Sequence, residues 1–201
     1  MRKLFMMAIL IACSAPLAFA QSTSDYNKVD VYVGYSNNRV DVGETNEDPE
    51  LDDVFDEREG FHGFNTSVTG NISRYVGIKG DYSFHRKSFT VAGGPTGTVD
   101  ADTNLHNLVG GVQFKDNSPE AKVKPFAHLM AGISHARFDV VAGASSFEES
   151  DTGFSGIIGG GVDFRVSPRV DIRAIQFDYN PTRLNDGTQH NFRIGFGVVF
   201  R

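Results

Sequence analysis

From residue 29 to the C-terminus the chain is written largely in a two-residue period, with a different chemistry on each side of the alternation. Such a period places successive side chains on opposite faces of an extended strand. Val76, Ile78, Gly80, Tyr82 and Phe84 alternate with Gly77, Lys79, Asp81 and Ser83. The last segment is sharper still, with Phe192, Ile194, Phe196, Val198 and Phe200 set against Asn191, Arg193, Gly195 and Gly197. Beyond the N-terminus no run of about 18 apolar residues occurs, so a membrane-spanning helix is excluded.

Eight such segments follow one another. The first sets Val29, Val31, Val33 and Tyr35 against Asp30, Tyr32, Gly34 and Ser36. The second sets Phe64, Thr66, Val68, Gly70 and Ile72 against Gly63, Asn65, Ser67, Thr69 and Asn71. In the fourth, Leu108, Gly110, Val112 and Phe114 oppose Asn107, Val109, Gly111 and Gln113. The fifth is best phased with Ala127, Leu129, Ala131 and Ile133 opposite Lys124, His128, Gly132 and Ser134, which leaves Phe126 and Met130 on the polar side. The sixth pairs Phe154, Gly156, Ile158, Gly160, Val162 and Phe164 with Ser155, Gly159, Gly161, Asp163 and Arg165. The seventh starts as Val170, Ile172 and Ala174 against Asp171 and Arg173, then slips near Gln176, where a β-bulge is expected.

The connections alternate in length. Ser73-Arg74, Lys115 to Lys122 and Ser167-Pro168-Arg169 are short, whereas 37–60, 87–103, 139–152 and 180–189 are expected to be long loops. Parallel crossovers would need helical periods between strands, and none is present. The expected fold is all-β, an eight-stranded antiparallel up-and-down transmembrane β-barrel.

The polar face decides between lipid and water outside. It carries Lys79, Asp81, Lys124, Asp163, Arg165, Asp171, Arg173 and Arg193. Turned toward acyl chains, each Lys or Arg near the midplane would cost about 2–4 kcal/mol. Turned inward, the charges fit an eight-stranded interior if they pair, with glycines beside them leaving room. They are therefore expected to form an ion-pair network that plugs the lumen. The alternative is a soluble lipocalin-like barrel with apolar side chains inside.

Residues 1–20 have the form of a signal peptide, leaving 21–201 as the barrel domain. Arg2 and Lys3 precede an apolar stretch from Leu4 to Cys13, and Ala18-Phe19-Ala20 is a small-x-small cleavage site. A competing feature is Leu10-Ile11-Ala12-Cys13, which has the form of a lipobox. Cleavage after Ala20 removes the single Cys and lowers the formal charge by two from −6. An acidic, thiol-free chain has no disulfides and is unsuited to nucleic acid.

The final segment, Arg193-Ile194-Gly195-Phe196-Gly197-Val198-Val199-Phe200, resembles the C-terminal signal of outer-membrane barrels, with Arg201 as an extra residue after the aromatic. The mature chain as a whole resembles the small outer-membrane barrel superfamily that includes the OmpA and OmpX transmembrane domains and the opacity-type surface proteins. That resemblance implies insertion by the barrel-assembly machinery and a monomer surrounded by membrane lipid and lipopolysaccharide in the bacterial outer membrane.

Motifs for catalysis are not evident. Asp41 to Glu59 is densely acidic but lacks a calcium-loop spacing. His62, His85, His106, His128, His135 and His190 show no metal-ligand spacing. Gly93-Gly94 and Gly159-Gly160-Gly161 fit neither a phosphate loop nor a dinucleotide fingerprint. The sequence therefore points to a protein with no catalytic, cofactor or metal residues. Its expected role is structural or in surface interaction, with an extracellular partner at 37–60 and 87–103. A small pore and an adhesin are the alternatives.

Overall fold

A computed structural model describes residues 25–41, 58–92, 98–142, 145–184 and 187–201. They form eight strands: β1 (Val29–Asp41), β2 (Arg58–Asn71), β3 (Val76–Ala92), β4 (Thr98–Lys115), β5 (Val123–Ala142), β6 (Ser145–Ser167), β7 (Val170–Leu184) and β8 (Gly187–Phe200). Each strand pairs antiparallel with its neighbours in sequence, and β1 pairs with β8 to close the barrel. Closure satisfies the backbone groups that lipid could not. Among the described residues no helix is long and apolar enough to cross a membrane.

The two faces are those of a barrel turned inside out relative to a soluble one. Phe196 is 56 % exposed and Ile158 57 %, whereas Arg193 and Lys79 are each 1 % exposed. The exposed apolar side chains wrap the barrel as a continuous band, so the lipocalin-like alternative is set aside. In β5, Phe126 and Met130 point inward, as the phase of that strand requires. Met130 joins Val109 and Ile157 in a small apolar cluster on the inner wall. The slip in β7 is a bulge: pairing with β8 shifts between Arg173 and Gln176, and both Ala174 and Ile175 face outward. The extra residue restores Gln176 and Asp178 to the interior.

The connections at the outer end differ from expectation. Strands continue through much of 37–60, 87–103, 139–152 and 180–189, leaving only 42–57, 93–97, 143–144 and 185–186 between them. The acidic run from Asp41 to Glu59 lies mostly outside the described residues. Antiparallel pairing carries on past the lipid boundary because its hydrogen bonds do not depend on an apolar face. Extension is greatest in β3–β6. There β3 pairs with β4 as far as Ala92 opposite Thr98, and β5 with β6 as far as Ala142 opposite Ser145. β2 leaves β3 at His62 opposite Arg86, and β7 leaves β6 at Phe154 opposite Arg183. A four-stranded sheet therefore stands above the rest of the described rim.

Candidate functional site

The lumen is filled by ion pairs in two tiers. Near the short turns, Lys115 Nζ bonds Asp30 at 2.5 Å and Asp163 at 3.3 Å. Arg173 grips the same Asp163 through Nε at 2.8 Å and Nη2 at 3.2 Å. Lys124 bonds Asp171 at 2.9 Å, and Arg201 approaches the other oxygen of Asp171 at 3.5 Å. The residue after the terminal aromatic thus folds back over the end of the network.

In the middle tier Arg193 bridges Asp81 at 2.9 Å and Asp178 at 2.7 Å. Lys79 lies 3.7 Å from Asp81 and 3.2 Å from His128 Nδ1. An ammonium can only donate, so Nδ1 accepts and His128 Nε2 donates to Asp178 at 2.8 Å. Gln176 joins the tiers, accepting from Arg173 at 2.7 Å and donating to Asp178 at 2.6 Å. The Arg173 guanidinium is sandwiched between the Tyr32 ring at 4.3 Å and the Phe126 ring at 4.1 Å.

Small inner residues make this packing possible. A Cβ on Gly159 would lie 2.2 Å from Asp178 Oδ1, and one on Gly34 would lie 2.1 Å from the Tyr32 hydroxyl. Five buried carboxylates (Asp30, Asp81, Asp163, Asp171, Asp178) meet five buried cations (Lys79, Lys115, Lys124, Arg173, Arg193). The near balance answers the desolvation cost of burial.

Toward the outer mouth the charges give way to uncharged pairs, Ser36 with His85 at 2.8 Å and Ser155 with Asn180 at 2.9 Å. Val40, Phe61 and Leu105 then close over them as an apolar cluster. A groove of about 410 Å³ lies instead on the outer wall, over Gly110, Ala131 and Gly156, where it faces lipid. Among the described residues no three His, Cys, Asp or Glu side chains are grouped to hold a metal ion.

All the charges expected inside are buried except Arg165. It is half-buried beside a register shift between Arg165 and Ser167, and it stands outside the network's ion pairs. Sequence reasoning missed Asp30, Lys115, Gln176 and Asp178 as members. Asp30 already lay on the polar face of its strand, and Asp178 becomes legible once the β7 bulge is counted. Lys115 reads from the sequence as the start of a turn. The Tyr32 and Phe126 sandwich joins distant strands and has no local signature.

Outside the membrane two carboxyls are shifted. The Arg74 guanidinium, hydrogen-bonded at 3.0 Å in the turns of the inner end, lowers Asp116 to about 2. In the projecting sheet, hydrogen bonds from the Ser88 hydroxyl and Arg86 lower Asp102.

A closed eight-stranded antiparallel barrel, apolar outside and ion-paired within, defines the class of small outer-membrane barrels. The chain belongs to the family described as outer membrane protein beta-barrel domain, whose model matches residues 5–200. The family places it in the bacterial outer membrane, among membrane lipid and lipopolysaccharide.

Solved structures share the fold. One is Ail, the attachment invasion locus protein of Yersinia pestis, in complex with the heparin analogue sucrose octasulfate. It is 21% identical with a TM-score of 0.56, over 86% of this chain and 98% of that one. Neisserial surface protein A is 16% identical with a TM-score of 0.55, over 88% of this chain and 99% of its own. OprG from Pseudomonas aeruginosa is 12% identical with a TM-score of 0.53, over 88% and 96%. A comparison with curated proteins returned no match.

Proposed function

We propose that the protein is a non-enzymatic surface-interaction protein: the plugged barrel is its anchor, and the sheet raised by β3–β6 is its working surface. One observation carries this reading. Phe89, Ala101, Val140 and Phe147 are successive cross-strand partners, so they form one apolar row on one face of a sheet that extends beyond the other described strands. Beyond Gly153, which still abuts the Arg183 backbone, the β6 edge along 145–152 has left its β7 partner. An edge without a strand partner among the described residues, beside an apolar face, is the geometry that receives an added strand. Glu149 stands exposed on that edge, beside Glu148, which Arg137 holds at 2.8 Å, so the fitting partner is an extended segment with apolar and cationic residues.

The ion-pair plug supports an anchor over a small pore. Residues 1–20 would act as the export signal, with cleavage after Ala20. The barrel of 21–201 would be inserted as a monomer by the barrel-assembly machinery, which reads β8. The test joins Phe138 to Glu149 through an Asn-Gly turn, removing the hairpin tip while keeping register. The shortened protein should retain heat-modifiable gel mobility but lose binding of a fluorescent peptide of alternating lysine and valine. Unchanged binding would assign the interaction elsewhere, and large stable channels in planar bilayers would favour the pore.

A further inference from the structure

The outer wall carries a second repeated arrangement, independent of the projecting sheet. His62, His106, His135 and His190 are each the first outward-facing residue beyond the apolar band of their strands. They lie two residues outward of Phe64, Leu108, Ile133 and Phe192. Arg86 and Arg183 take the equivalent place on β3 and β7, beyond Phe84 and Pro181. Arg39 lies one outward step further on β1. At the turn end the positions two beyond Phe114 and Val76 hold Asp116 and Arg74, which pair with each other at 3.0 Å.

Each of the four histidines is held by a hydroxyl from the other strand of its own hairpin. Tyr35 bonds His62 Nδ1 in β1–β2, and Tyr82 bonds His106 Nδ1 at 2.9 Å in β3–β4. Thr152 bonds His135 Nδ1 at 2.7 Å in β5–β6, and Tyr179 bonds His190 Nδ1 at 2.5 Å in β7–β8. A hydroxyl can donate to a neutral ring nitrogen or accept from a protonated one, so the ring keeps its orientation in both states. Nδ1 is occupied, and Nε2 is left to donate outward.

Arg39 and Arg86 flank His62 on β1 and β3. His106 and His135 are cross-strand partners with ring centroids 6.3 Å apart, and Arg137 follows His135. Arg183 lies on β7 beside the strand of His190. The carboxylates of the next level are already bound to arginines, Asp102 by Arg86 and Asp139 and Glu148 by Arg137. Arg137 meets two carboxylates, so one negative charge remains in excess beside His135; four protonated histidines outnumber it and turn the collar net positive.

We infer that this Arg–His collar binds the phosphate headgroups of outer-leaflet lipid, with a grip that tightens as the pH falls. Histidine is the side chain whose charge ordinarily changes between pH 5 and 8. Cationic residues at a membrane surface attract anionic headgroups within a Debye length.

The test places the protein in phosphatidylcholine nanodiscs containing a small fraction of spin-labelled phosphatidylglycerol, whose phosphodiester keeps one negative charge throughout the range. Enrichment of the labelled lipid at the protein should rise about threefold between pH 8 and pH 5.5. It should stay flat when His62→Gln, His106→Gln, His135→Gln and His190→Gln are combined. Heat-modifiable mobility reports whether that variant has folded. If it has not, the double variants H62Q/H190Q and H106Q/H135Q should each lose about half of the rise. Enrichment in the parent protein that ignores pH would overturn the inference, as would variants that keep the full rise.

Discussion

Within the membrane and above it, the same two-residue alternation serves two different ends. In the barrel one face meets acyl chains and the other meets paired charges, and closure leaves no edge open. In the sheet raised by β3–β6, neither face is lined by paired charges, and among the described residues the outer portion of β6 has no further strand beside it. Alternation decides which residues share a face, but the surroundings decide what each face is worth. The barrel is therefore the intolerant region and the sheet the permissive one.

The widest separation between the two regions should come from the lumen. Arg193→Ala leaves Asp81 and Asp178 buried without their main cation and should cost about 3–5 kcal/mol of folding free energy in urea titrations. Lipid-face substitution comes next. Leu129→Arg, near the middle of the outward band, should cost about 2–4 kcal/mol by the same measurement.

The turns of the inner end give a smaller effect with a defined pH sign. The lowered Asp116 carboxyl contributes stability while it is ionised, above the ordinary aspartate range, and the contribution disappears as pH falls toward 2. Asp116→Asn should therefore be less stable than the parent near neutrality and match it near pH 2. The difference is small because Arg74 and Asp116 are solvent-exposed and screened. Phe147→Asp, in the projecting sheet, should leave barrel stability within about 0.5 kcal/mol. A sheet substitution as costly as Arg193→Ala would erase the contrast.

What the sequence made legible follows the same division. Where lipid and ions compete for the two faces, polarity contrast marks the register, and the phase of β5 and the bulge of β7 could be placed. Past the lipid boundary the contrast fades, as in Asp100-Ala101-Asp102-Thr103, and strand resembles loop. That is why 87–103 and 139–152 were expected to be open connections. In the lumen, residues such as Lys79 and Arg173 declared themselves by their face. Arg165 keeps the inward phase, opposite the buried Asp171, but it stands at the turn-end mouth, where it is only half-buried. Lys115 was hidden by the polar turn that begins directly after it. The histidine collar escaped notice because its hydroxyl partners lie on neighbouring strands, where spacing along the chain carries no metal or catalytic signature.

The inverted orientation of the barrel underlies every assignment made to its two faces. The chain contains no tryptophan, so single-tryptophan variants in brominated lipid report each face directly. Phe196→Trp should be strongly quenched by the bromine atoms, and Tyr32→Trp, beside Arg173, should be almost untouched. Equal quenching of the two, or quenching confined to Tyr32→Trp, would contradict a barrel that turns its apolar side chains to lipid and its charges inward.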